Sequence, residues 1–142
     1  MISSTAGTGT ILLLAAAEMK ALTGYCDANG VRLISDEIYH GITYEEKAVS
    51  ALGSNIDSLV INSFSKYFSM TGWRLGWMVV PNDLIRPIEC LAQNMFISPP
   101  TLSQLAATAA FQSYAEAEEN VKRYAQNRSI LMNELPSSGI TK

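Results

Sequence analysis

The 142-residue chain has only two cysteines, Cys26 and Cys90, and one histidine, His40. The cysteines show no metal-type spacing and no secretory signal is evident before them. They are therefore expected to be free thiols in a reducing cytoplasm. So few ligands exclude a structural zinc site, and no serine–histidine–acid set can be built around His40, which is read as a packing or supporting residue. Basic charge is not in excess: ten Lys and Arg against thirteen Asp and Glu give a net charge of −3. That argues against a nucleic-acid footprint and a polybasic membrane patch, and leaves a small molecule as the expected partner. Long hydrophobic runs are also missing. The apolar stretch Ile11 to Ala17 is far too short to span a bilayer and has no basic region ahead of it. Internal repeats and low-complexity tracts are absent.

What is present is a chain with 48% hydrophobic residues, enough for one ordinary core. Glu18 to Ala28 carries Met19, Leu22, Tyr25 and Cys26 at helical spacing and is stopped by Asn29-Gly30. A strand from Val31 to Ser35 follows at once, a second is expected at Leu59 to Asn62, and a third at Trp73 to Val80, closed by Pro81. Helices are predicted from Asp83 to Met95, with Pro87 near the first turn, from Thr101 to about Tyr114, and from Glu116 to Leu135. Helices alternating with short apolar strands predict an α/β fold, a mostly parallel sheet flanked by helices. Gly7-Thr8-Gly9 suggests a dinucleotide loop, but Leu12 replaces the third glycine and no strand precedes it, so that reading is rejected.

The chemistry is concentrated from Val60 to Val80. An apolar, β-branched strand runs into the hydroxyl-rich turn Ser63-Phe64-Ser65-Lys66, which presents Lys66 at the strand's C-terminal end, where α/β sheets gather ligands. Flanking Phe64, Tyr67 and Phe68 favour the free amine that condenses with a carbonyl. Arg74 offers a planar fork of donors suited to a phosphate. Upstream, Ser35-Asp36-Glu37-Ile38-Tyr39 is a second strand end carrying an acid. Taken singly, Lys66 is more often a solvated strand-end lysine and Gly72-Trp73-Arg74 an ordinary turn; two strand ends converging on one ligand favour a site.

Ser35-Asp36-Glu37-Ile38-Tyr39, Ser63-Phe64-Ser65-Lys66 and Thr71-Gly72-Trp73-Arg74 together resemble the class I/II aminotransferase family, pyridoxal-phosphate enzymes of fold type I, and most of all its aspartate-type members. The resemblance runs from about Glu18 to about Pro136. It implies a single partial domain over residues 1–142, the later part of the large domain, without the N-terminal segment or the C-terminal small domain. It implies pyridoxal 5'-phosphate as cofactor and no metal. Lys66 would be the catalytic Schiff-base lysine, Asp36 the acid at the ring nitrogen, and Tyr39 the donor to the phenolic oxygen. Ser63, Arg74 and more weakly Ser65 would anchor the phosphate. The implied reaction moves an amino group between an amino acid and a 2-oxo acid in a cytoplasmic homodimer. Glu37 is read as a satisfied surface or interdomain acid, and Trp73 and Trp77 as packing residues. One departure stands out: the family's Asn-Pro-x-Gly turn is replaced by Ala6-Gly7-Thr8-Gly9. With the upstream phosphate loop and the downstream substrate-binding arginine also missing, the competing reading is a catalytically inactive cofactor-binding remnant.

Overall fold

The computed structural model describes residues 13–140. The Ala6–Gly9 turn and the start of the apolar run lie outside the described residues.

Helix α1, Ala16–Ala28, begins where the Glu18 carboxylate accepts the Ala15 N–H at 2.8 Å, satisfying one of the free amides of the first turn. It ends at Gly30, whose φ of +63° turns the chain so that Val31 N–H donates back to the Cys26 carbonyl at 2.8 Å. Met19 and Cys26 of this helix are buried with Leu33, Ala51 and Val60. Tyr25, expected on the same face, is 62% exposed, because it falls a third of a turn away from Cys26 on the solvent side.

Three short strands follow: β1, Ile34–Asp36; β2, Leu59–Ser63; and β3, Gly76–Val79. They form a sheet of order β1-β2-β3. The β1 and β2 strands are parallel, with Asp36 opposite Ile61, and residues 37–58 supply the long crossover such pairing needs. The β2 and β3 strands are antiparallel, with Ser63 opposite Gly76. The parallel expectation thus holds for one of the two pairings. Residues 64–75 contain no crossover helix, only a tight turn at Thr71–Trp73, so the chain must return alongside the strand it left. That turn also shortens the predicted third strand, which begins at Gly76 rather than Trp73.

Helices α2, Asn82–Met95, α3, Thr101–Ala110, and α4, Tyr114–Glu134, complete the described chain. Pro87 lies one residue deeper in α2 than the sequence suggested, in the second turn, where it removes the N–H that would bond the Asp83 carbonyl. Among the described residues no helix is long and apolar enough to cross a membrane. A second core sits under the β2–β3 connection: Phe64, Met70 and Ala107 are buried, with Phe68, Leu75 and Trp77 against them. Phe64 lies 4.8 Å from the Trp77 ring and 5.0 Å from Phe111. Truncating it to alanine would cost about 3–5 kcal/mol. Phe64 therefore fixes the turn that carries the two residues beside it, Ser65 and Lys66.

Candidate active site

Parallel pairing puts the C-terminal ends of β1 and β2 side by side, so Asp36 and the Ser63–Lys66 turn emerge at one edge of the sheet. Asp36 is half-buried. Among the described residues its carboxylate accepts one hydrogen bond, from Ile38 N–H at 3.3 Å. Beyond it the chain turns through His40 N–H to Glu37 carbonyl, 3.0 Å, and Ile42 N–H to Tyr39 carbonyl, 2.8 Å. This brings the Tyr39 ring under the Lys66 ammonium, with Nζ 5.4 Å from the ring centroid. A cation over a tyrosine face is held by the ring quadrupole, and Lys66 makes no ion pair among the described residues.

The second group of predicted residues gathers around Ser63. Its hydroxyl accepts from Ser65 N–H at 3.1 Å, shares a 2.8 Å hydrogen bond with the Ser65 hydroxyl, and donates to the Leu75 carbonyl at 3.3 Å. Thr71 donates its hydroxyl to the Ser65 carbonyl at 2.9 Å, and Arg74 donates Nη1–H to the Thr71 carbonyl at 3.0 Å. Arg74 sits in the left-handed region, φ 51° and ψ 47°. Such a conformation costs a non-glycine residue roughly 1–2 kcal/mol. The surrounding hairpin holds it there. Its exposed side chain lines a cleft of about 380 Å³ with Gly76, Phe96, Ser98 and Pro99. Among the described residues the Arg74 side chain makes no hydrogen bond to Ser63, Ser65 or Lys66.

The lysine turn is braced from outside by α4. Tyr67 donates its hydroxyl to Glu118 at 2.6 Å, and Asn120 donates to the Ser69 hydroxyl at 3.2 Å. Burial, reinforced by the Glu118 carboxylate, pushes the Tyr67 phenol up to about 12. Gly41 packs on the Tyr67 ring so closely that a Cβ there would overlap it, which locks the loop after Tyr39 to the residue after Lys66. A cleft of about 430 Å³ opens beyond, lined by His40, Tyr44, Lys47, Tyr67 and Glu118 among others.

Glu37 differs from its expected role. It is satisfied, but as a buried intradomain acid, only 3% exposed. Its Oε1 accepts from the Ser50 hydroxyl at 3.1 Å and Ala51 N–H at 2.9 Å, and its Oε2 lies 3.3 Å from His40 Nδ1. Burial raises its pKa, but the hydrogen bonds from His40, Ala51 and Ser50 together with the His40 charge outweigh burial and hold the carboxyl below the usual range. Trp77 packs in the second core as expected, whereas Trp73 is 40% exposed. Sequence reasoning missed Ser50 and Thr71. Ser50 could have been found as the cap of the turn Ala51–Gly53, since its hydroxyl accepts Leu52 N–H at 3.3 Å.

The donor set is coherent. An amine lies over a tyrosine ring beside the strand end that carries a half-buried carboxylate, and two hydroxyls with an arginine lie on the adjoining hairpin, a set that suits an anionic ring compound bearing a carbonyl and a phosphate. Among the described residues no three of His, Cys, Asp and Glu come together to hold a metal ion.

Comparison with known proteins is specific: the family described as "Aminotransferase class I and II" matches residues 7–141. The chain belongs to that family, and its mixed α/β fold is that of part of the fold type I aminotransferases. It is 47% identical over 139 residues to a valine–pyruvate aminotransferase of Mycobacterium tuberculosis, covering 95% of this chain and 35% of that relative. An aspartate aminotransferase of Geobacillus stearothermophilus is 34% identical over 132 residues, covering 89% of this chain and 34% of the relative. A crystal structure from Silicibacter pomeroyi superposes with a TM-score of 0.86 at 53% identity, covering 99% of this chain and 37% of that one. The chain thus spans about a third of the length of the relatives it matches.

Proposed function

We propose that the chain carries the cofactor-binding wall of a pyridoxal 5'-phosphate-dependent transaminase, corresponding to the later part of the large domain, with Lys66 as the catalytic lysine. The observation that carries this reading is Lys66 Nζ over the Tyr39 ring, beside the strand end that presents Asp36. Bound pyridoxal phosphate would supply an electron sink for the pair released at a substrate α-carbon. Lys66 would hold the cofactor through its carbonyl carbon and would move a proton at the substrate α-carbon. Asp36 would keep a proton on the ring nitrogen through its negative charge. Tyr39 would donate to the phenolic oxygen. Ser63, Ser65 and Arg74 would bind the phosphate, and the left-handed backbone at Arg74 fixes where its guanidinium starts from.

The substrates in this reading are an amino acid and a 2-oxo acid. The relatives' names carry valine and pyruvate in one case and aspartate in another, so the amino-group-transfer chemistry is common and the side chain accepted differs between them. A homodimer in the cytoplasm completes the proposal. Two free thiols, buried Cys26 and exposed Cys90, suit a reducing compartment.

Borohydride trapping tests it. Incubation with pyridoxal phosphate followed by reduction and peptide mass spectrometry is expected to put the label on Lys66, and Lys66→Ala to abolish it. Arg74→Ala should retain the labelled site but weaken cofactor retention by one to two decades, the loss of a charge-assisted contact of roughly 1.5–3 kcal/mol. Label spread evenly over Lys20, Lys47, Lys122 and Lys142 would overturn the reading.

A further inference from the structure

We infer that Glu37 is a positioning residue: its carboxylate, held by Ser50, Ala51 and His40, fixes where Asp36 and Tyr39 stand relative to Lys66. The inference rests on the site proposed above and adds a residue that touches none of its ligands.

Glu37 lies between the two residues it would position. Its side chain leaves the strand end on the side opposite to Asp36, as alternation along an extended chain requires, and enters the protein rather than the site. A buried carboxylate is tolerated only when donors surround it, and here three converge from two places. Ser50 Oγ–H and Ala51 N–H come from the turn Ala51–Gly53 and its cap, and His40 Nδ1–H comes from the far end of the same loop. Backbone bonds flank the clamp, with Glu37 N–H donating to Ile61 carbonyl at 2.8 Å and His40 N–H to Glu37 carbonyl at 3.0 Å. After Asp36 the chain has left the sheet, and the carboxylate ties that loop to the core containing Ala51. The direction of the Asp36 side chain and the seat of the Tyr39 ring are therefore set through Glu37.

Two substitutions separate positioning from bulk stability. In Glu37→Gln the amide oxygen can still accept from Ser50 and Ala51, so most of the clamp is retained. Glu37→Ala leaves the Ala51 N–H buried and unbonded. Hydrogen exchange on the 142-residue chain is expected to show amides 36–40 and 50–52 exchanging roughly tenfold or more faster in Glu37→Ala, residues 59–79 unchanged, and Glu37→Gln close to the parent. In the borohydride experiment the preference for Lys66 over other lysines should fall several-fold in Glu37→Ala and be restored in Glu37→Gln. Unchanged exchange at 36–40, or acceleration spread equally over residues 59–79, overturns the proposal. If Glu37→Ala does not fold, Ser50→Ala decides by the same exchange pattern, because it removes one donor only. A parent chain with no preference for Lys66 defeats the functional reading, while the exchange map still decides the clamp.

Discussion

Tyr67 stands next to Lys66 in sequence and points its hydroxyl the other way, into a 2.6 Å bond with Glu118. The bond exists only while the phenol keeps its proton. Burial and the adjacent carboxylate raise the folded pKa from an ordinary 10.0 to about 12. A group whose pKa is raised on folding stabilises the fold fully below its unfolded value, so this contribution is intact to pH 10 and is lost as pH rises through about 12. Ultraviolet titration of tyrosines should show one phenol ionising late. Glu118→Gln should bring that midpoint part of the way back, since it removes the charge and leaves the burial.

At the scale of elements, the β2–β3 hairpin carries most of the candidate site, and its tightest point is Gly76. A Cβ there would lie 2.6 Å from the Asn62 carbonyl oxygen, a backbone atom that cannot swing away. Gly76→Ala is expected to destabilise the chain by about 1–3 kcal/mol, read as a lower urea midpoint. Much of this architecture is legible in the sequence. The β-branched run before Ser63 announces β2, Asn29-Gly30 announces the end of α1, and the positions of Asp36 and Lys66 follow from strand ends. What is not legible depends on partners distant in sequence or on backbone sign. Glu37 reads as a satisfied surface or interdomain acid because its donors at Ser50 and Ala51 are set by a loop, not by periodicity. Arg74 reads as part of a strand because nothing in its own chemistry signals φ of 51°. The hairpin's antiparallel return is equally hidden, since Trp73 to Val80 looks apolar whichever way it runs.

Over the whole molecule, the apolar faces of α2 and α3 stand out. Helix α2 has no buried residue: Leu91 is 58% exposed and Met95 71%, and Ile97 just beyond it is 81% exposed. Leu102 and Leu105 of α3 are exposed as well. Exposed apolar side chains of this kind favour association. Sedimentation velocity at rising concentration is therefore expected to show self-association of the 142-residue chain. Paired Leu91→Lys and Leu105→Lys substitutions should shift it toward monomer without changing the helical signal in circular dichroism.

The unequal spans of the two strand pairings also order events in time. The β2–β3 hairpin closes across residues 64–75, whereas β1 meets β2 only after residues 37–58 have been looped out. Loop-closure entropy grows with length, and the hairpin has the Phe64 cluster to hold it once formed. The hairpin should thus appear first during refolding, with Ser63, Ser65, Lys66 and Arg74 already near one another, and β1 should dock afterwards, bringing Asp36 and Tyr39. Pulsed hydrogen exchange would detect this as early protection of Asn62 and Phe64, whose amides face β3, and later protection of Glu37. Simultaneous protection of all three would mean that the sheet condenses as one unit.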